Sequence, residues 1–175
     1  MKKNLHIGGN QEKDGWEILN AVPGPFVDHV GNANDVSQFK NDAFAQIYAS
    51  HVVEHFDYKD ELLSTLKEWY RILAPGGKIF ISVPDIDVLA ELMISKDKFS
   101  VDDRFFIMRM LFGGHIDKYD YHAVGLNEDF LTSFLEQAGF IKIKKVRDFG
   151  LFDDTSRMKF KGVTISLNLT AAKPG

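Results

Sequence analysis

Histidine and glutamate crowd together at His51-Val52-Val53-Glu54-His55. On a helix, two imidazoles four residues apart share one face. With the carboxylate between them they form the H-x-x-E-H spacing of inverted zinc hydrolases. That chemistry needs a long helix and a third ligand. Here the block follows a strand-like run directly and stops at Asp57, and the sequence offers no evident third ligand. No metal is therefore expected. Glu54 and His55 either tie a tight turn to neighbouring backbone or face a substrate. A second concentration is the loop at residues 113–122, Gly-Gly-His-Ile-Asp-Lys-Tyr-Asp-Tyr-His. His115, Tyr119, Tyr121 and His122 are candidate general bases or substrate clamps, since ligand-binding groups often sit on loops over a rigid scaffold. The plainer alternative is a solvated loop whose rings pack on the core. A third feature is Gly8-Gly9, where backbone without a Cβ can approach a ligand closely.

These residues need elements to position them. Short apolar runs at residues 4–8, 16–21, 26–30 and 44–50 read as strands, the last as a buried parallel strand. Leu62, Leu66, Trp69, Tyr70 and Leu73 recur at helical spacing, predicting a helix over residues 58–73 that Pro75-Gly76-Gly77 ends. Residues 78–83 predict a fifth strand, and residues 86–94 and 101–112 two helices. The second of these opens with a capping signal, Ser100 followed by Asp103. Asn127 caps a helix over residues 128–138, and strands are expected at residues 141–149 and 162–170. The stripe Phe105, Met108, Leu111, Phe112 reads as core or as cover for an acceptor site. Lys142, Lys144, Lys145 and Arg147 read as solvated protection of a sheet edge. Alternating strands and helices predict an α/β fold with a mostly parallel sheet, and two late strands with no helix between them predict an antiparallel hairpin at its edge. Ligands of such sheets bind outside the carboxyl ends of the strands. The loops there begin at Gly8, Asn20, Gly31, Ser50 and Pro84.

Bulk properties exclude several classes. The 175 residues suit one domain, with fifteen Phe for its core. The net charge of −4 and the lack of a basic run argue against nucleic acid and anionic membrane as partners. No cysteine is present, so disulfides, thiolate metal sites and cysteine nucleophiles are excluded. No signal core or long apolar stretch is seen, so a cytoplasmic protein that does not span a membrane is expected.

Two blocks carry a resemblance: Ile47-Tyr48-Ala49-Ser50-His51-Val52-Val53-Glu54-His55, and Leu66-Lys67-Glu68-Trp69-Tyr70-Arg71-Ile72-Leu73-Ala74-Pro75-Gly76-Gly77. With Ile7-Gly8-Gly9-Asn10 before them, and Ile81-Ser82-Val83-Pro84-Asp85 and Phe134-Leu135-Glu136-Gln137-Ala138-Gly139-Phe140 after, the chain resembles class I S-adenosylmethionine-dependent methyltransferases of the type 11-like family. The resemblance implies a Rossmann-like seven-stranded sheet, mostly parallel, with an antiparallel final strand and helices on both faces. It implies one domain with an acceptor-site insertion at about residues 85–125, and S-adenosylmethionine as cofactor. By position it puts Gly8, Gly9 and Asn10 at the cofactor's amino-acid end and Asn20 at the ribose. Asn34, Asp35 and Val36 would lie by the adenine, and Ser50 and His51 by the transferring methyl. His51 and His122 are the candidate catalytic bases.

The chain departs from the family pattern at four acids, where His6, Asn20, Asn32 and Ala45 stand. A neutral amide accepts hydroxyl protons more weakly than a carboxylate. Two readings therefore stay open. One is methyl transfer to a small-molecule or glycan-like acceptor. The other is a domain of this type that binds a ligand or partner without turnover. A nicotinamide oxidoreductase would want G-x-G-x-x-G after strand one, which is absent. The family's helix before strand one is also missing from the sequence. A second subunit, making a homodimer, is expected to cover the sheet face so exposed.

Overall fold

A computed structural model describes residues 3–175. Its strands are β1 (Lys3–Ile7), β2 (Trp16–Asn20), β3 (His29–Val30), β4 (Phe44–Ser50) and β5 (Leu73–Pro84), followed late in the chain by β6 (Ile141–Lys145), β7 (Lys159–Phe160), β8 (Val163–Thr164) and β9 (Ser166–Ala172). The helices are α1 (Glu61–Ile72), α2 (Ile86–Ile94), α3 (Val101–Phe112) and α4 (Glu128–Gln137). Seven strands form one sheet in the order β3-β2-β1-β4-β5-β9-β6, and β7 pairs with β8 as a separate hairpin. β1 to β5 are mutually parallel where they meet, and β9 runs antiparallel to both β5 and β6. This is the expected α/β architecture with an antiparallel last strand. The late strands form the edge region as expected, but β9 is inserted between β5 and β6, leaving β6 outermost.

The core follows from the strand pattern. Leu5, Ile7, Ile47, Ala49, Ile79 and Ile81 point to one face, where they meet Leu62, Leu66, Trp69 and Ile72 of α1 and Leu131 and Leu135 of α4. Burial on both faces suits the near-continuous apolar run of β4. The other face is aromatic and polar. His6 and Tyr48 pack there with Phe152, and Phe80 and Phe149 adjoin Tyr48. This patch is covered by residues 146–158, a strap of the chain itself with one 3-10 turn at Thr155–Arg157. Its Asp154 carboxylate accepts from the Tyr48 hydroxyl at 2.8 Å, while Asn168 Nδ2 donates to the carbonyls of Arg147 and Ser156.

Two expectations for the elements need correction. Pro75-Gly76-Gly77 does not separate helix from strand, because β5 already begins at Leu73. The register jumps between the Phe44–Leu73 and Gln46–Lys78 pairs, and the extra residues bulge out at Gly76, whose φ is 73°. The α3 stripe is not core: Phe105 and Phe112 are exposed, and the residue of α3 that is buried is Ile107, packed with Leu89, Leu92 and Ile165 in a small second cluster. No helix among the described residues is long and apolar enough to cross a membrane.

Candidate functional site

β1, β2 and β4 end side by side, and a cavity of about 520 Å³ opens beyond their carboxyl ends. Gly8, Asn20, the segment from Gly31 to Asn34, and His51 and Val52 line it from the sheet side. His55, Phe56 and Glu61 continue the wall, and Asp117 to Tyr119 with Tyr121 to Ala123 overhang it. The lip at residues 31–34 is set by α1. Trp69 Nε1 donates to the Ala33 carbonyl at 2.8 Å, and Arg71 donates to the carbonyls of Val36 and Phe39. These contacts account for Trp69 and Arg71, whose side chains brace the loop, while Tyr70 packs edge-on against Phe140.

Gly8 turns the chain at a φ of 78°, and a Cβ there would stand 2.7 Å from Val52 Cγ2. Asn20 spans the neighbouring loops, its Nδ2 donating to the Gly9 carbonyl and its Oδ1 accepting from the Val22 amide, both at 2.9 Å. Asn34 Nδ2 donates to Glu61 Oε1 at 2.6 Å, so a carboxylate does stand in this wall. Glu61 escaped the sequence reading, although an acid in the first turn of the clearest helix was there to be weighed. Of the other expected residues, Gly9, Asn10, Asp35, Val36 and Ser50 do not line the cavity. Gly9 packs against the His6 ring, and Asn10 is solvent-exposed. Asp35 turns back to accept from Ser37, and Val36 is in the core. Ser50 bonds to Thr155 of the strap at 3.1 Å.

His51 lies in the left-handed region, at a φ of 54°. Its amide donates to Ser82, and its Nε2 lies 3.0 Å from Ser166 Oγ. Ser166 gives its own proton to the Thr155 carbonyl, so Nε2–H must be the donor in the His51–Ser166 bond. The remaining lone pair, on Nδ1, then faces Glu54 Oε1 at 3.5 Å. Burial lowers the pKa of His51 to about 4 and raises that of Glu54 to about 8, so at neutral pH the two meet as uncharged groups and not as an ion pair. With both ring nitrogens facing protein, His51 holds the end of β4 and is a poor general base.

The block at residues 51–55 holds a single 3-10 turn, Val53–His55, and not the long helix that an inverted zinc-hydrolase motif needs. It brings together residues that the sequence leaves far apart. His55 and His122 face each other with ring centroids 5.0 Å apart, and the donor atoms of Glu54, His55 and His122 all lie within 4.8 Å of one another. Burial and the neighbouring His55 lower the pKa of His122. Glu54 is 1% exposed, and neither of its carboxylate oxygens has a hydrogen-bond partner among the described residues. His115 stacks on Tyr121 with centroids 4.0 Å apart, and its Nε2 lies 2.9 Å from the Phe112 carbonyl, so it stabilises the loop.

Comparison with known proteins places this arrangement. Residues 9–144 match the family described as methyltransferase domain. No curated protein matches the chain. Among solved structures, the chain is similar to an S-adenosylmethionine-dependent methyltransferase from Archaeoglobus fulgidus, with a TM-score of 0.62 at 16% identity, covering 98% of this chain and 86% of that one. It is also similar to a possible exported protein from Bordetella parapertussis (TM-score 0.61, 10% identity, 100% of this chain and 63% of that one). Phosphoethanolamine N-methyltransferase 2 of Haemonchus contortus, solved in complex with S-adenosyl-L-methionine, gives a TM-score of 0.59 at 12% identity, over 99% of this chain and 49% of that one. The chain thus spans less than two thirds of these last two proteins, and at such identities the likeness is one of fold.

Proposed function

The chain belongs to the methyltransferase-domain family, and from that premise we propose that it binds S-adenosylmethionine and transfers its methyl group to a small-molecule or glycan-like acceptor. The observation that carries this reading is the cavity of about 520 Å³ beyond β1, β2 and β4. It is in the size range of small-molecule and cofactor sites and lies where open α/β sheets bind ligands.

The residues present fit such a cofactor. Gly8 keeps the β1 turn free of a side chain where the wall is tightest. Asn20, Asn34 and Glu61 offer polar atoms along the β2 and β3 side. Bound there, the cofactor supplies an electrophilic methyl on a sulfonium, so the protein's task is to hold an acceptor in line with it. The overhang of residues 117–123 is the acceptor side in this reading, where Tyr119, Tyr121 and His122 exclude water and orient the incoming molecule. Burial and His55 lower the pKa of His122, which favours the uncharged imidazole that can accept a proton.

Calorimetric titration of the purified protein with S-adenosylmethionine and with S-adenosylhomocysteine tests the proposal. One-to-one binding in the micromolar range is the expected result. Asn20→Ala is expected to weaken it about ten-fold, because the variant frees both neighbouring loops and removes a hydrogen-bonding group. Absence of binding at millimolar ligand would overturn the proposal in favour of a binding domain without turnover. That second reading is favoured by Asn20, whose amide is already committed on both ends where the family pattern has a carboxylate.

A further inference from the structure

Glu54 is the least comfortable group in the molecule. A carboxylate loses much of its hydration when buried and is normally compensated by hydrogen bonds or a cation. Glu54 is 1% exposed, and both its oxygens lack a partner among the described residues. The groups nearest it are imidazoles: His51 on one side, with the pair His55 and His122 on the other.

The surroundings are shaped as a ligand set. The Nδ1 of His55 lies 3.0 Å from the Tyr121 carbonyl, which can only accept, so Nδ1 carries the proton and Nε2 keeps its lone pair. A histidine that donates one N–H to a backbone carbonyl and offers the other nitrogen is the usual way a metal-binding imidazole is oriented. His122 is anchored at the end of α3 by its backbone, its amide donating to the Phe112 carbonyl at 3.1 Å. The two strands of the site are locked together, since the amides of Ala123 and Val124 both donate to the Glu54 carbonyl, at 2.8 and 3.2 Å. This tie connects the 3-10 turn after β4 to a loop almost seventy residues away and holds the three side chains in mutual reach.

We propose that Glu54, His55 and His122 bind a divalent first-row transition-metal ion, at the acceptor side of the cavity that the two histidines line. Two imidazoles and one carboxylate suit zinc, cobalt, iron or manganese better than calcium or magnesium. Metal–ligand bonds of ~2.1 Å set tetrahedral donor atoms about 3.4 Å apart, so side-chain torsions must draw the present donors together by roughly 1 Å. Three protein ligands leave coordination positions open, the arrangement of metal sites that bind substrate rather than merely brace a fold. That substrate role rests on the methyl-transfer reading and points to an acceptor bearing an oxygen ligand, a hydroxyl or carboxylate. Binding of the ion does not rest on it. The set differs from the H-x-x-E-H pattern, because His51 is turned to Ser166 and its place is taken by His122 from a distant loop.

The test uses the whole chain, freed of metal by chelation and titrated with zinc by calorimetry and with cobalt by visible absorption. The expected result is one ion per chain at micromolar affinity or tighter, with cobalt bands in the visible and a rise in melting temperature. His122→Ala and Glu54→Gln are each expected to weaken binding more than ten-fold while keeping the far-ultraviolet circular dichroism of the parent. Glu54→Gln matters most as a control of folding, since it keeps the buried volume and removes only the capacity to ionise and bind a cation. Failure of zinc and cobalt to bind would overturn the proposal, as would binding of equal strength in the His122→Ala variant, which would place the ion elsewhere. Titration of the same samples with S-adenosylhomocysteine separates the two proposals. A chain that binds metal but not this ligand keeps the site and loses the methyltransferase reading, and the reverse result does the opposite.

Discussion

His6 is 4% exposed, wedged against Tyr48 and Phe152, with its Nδ1 unpartnered among the described residues and Gly9 pressed against the ring. Burial lowers its pKa to about 4, from 6.5 in an unfolded chain. The unfolded state therefore takes up a proton as the pH falls below 6.5, while the folded state does not until about pH 4. Stability from this group is full above pH 6.5 and declines towards pH 4, by about 2 kcal/mol at pH 5. Glu54, whose pKa is raised, acts in the opposite sense between its unfolded and folded values, losing stability as pH rises. The difference between the parent and His6→Phe isolates the histidine. Denaturant unfolding at pH 7.5 and pH 5 should show the variant losing about 2 kcal/mol less than the parent. Equal losses would mean that His6 is protonated in the fold. At this scale the sequence was legible where a residue acts through its neighbours in the chain, as Gly8 does at the end of β1. It was not legible where the partner is remote. Val36 and Ser50 were read as cavity residues from their place after a strand, but the Val36 side chain enters the core and that of Ser50 faces the strap. Glu54 reads as one acid among many until the fold buries it.

The helices show the same division. α2 and α3 begin and end where periodicity and caps put them, because a cap is a contact between residues three apart. In α3 the Ser100 hydroxyl accepts from the Asp103 amide, and the Asp103 carboxylate accepts from the Ser100 amide, both at 3.1 Å. Asp103 is further joined to Lys161 of the β7–β8 turn at 2.9 Å. Ser100→Ala should cost about 1 kcal/mol, and for a chain of this size lower the melting temperature by roughly 2–4 °C. Asp103→Ala should cost more, since it breaks the reciprocal bond and the lysine contact together. Differential scanning calorimetry of the two variants checks the order; a larger effect at Ser100 would show that the capping box does not hold α3. The β5 boundary was misread because Pro75-Gly76-Gly77 is a helix stop in local terms, whereas pairing with β4 draws Leu73 into the sheet. The α3 stripe misled for a related reason: spacing identifies a face, but which face is buried depends on what α2 and the β7–β8 hairpin present to it.

At the scale of the molecule, the sheet's two faces are built from different materials. α1 and α4 cover one with aliphatic side chains, and the strap at residues 146–158 covers the His6–Tyr48 patch of the other with rings and hydrogen bonds. No periodicity marks an irregular strap, and so its cover over this patch was not legible in the sequence. The sheet order has a consequence for how the chain is made. Synthesis delivers β6 before β9, yet β9 is the neighbour β6 has in the sheet, and it also closes the flank of β5. A growing chain that has reached residue 165 holds α1 to α4 and β1 to β5 with a raw edge at β5, and β6 and the β7–β8 hairpin tethered beside them. Protection should therefore arrive abruptly. Ribosome-stalled chains ending at residue 165 should be cleaved by a dilute protease throughout, and chains extended by a flexible linker past residue 175 should resist it. Gradual protection as the chain lengthens would show instead that β1 to β5 can stand alone while the ribosome is still adding the strand that completes them.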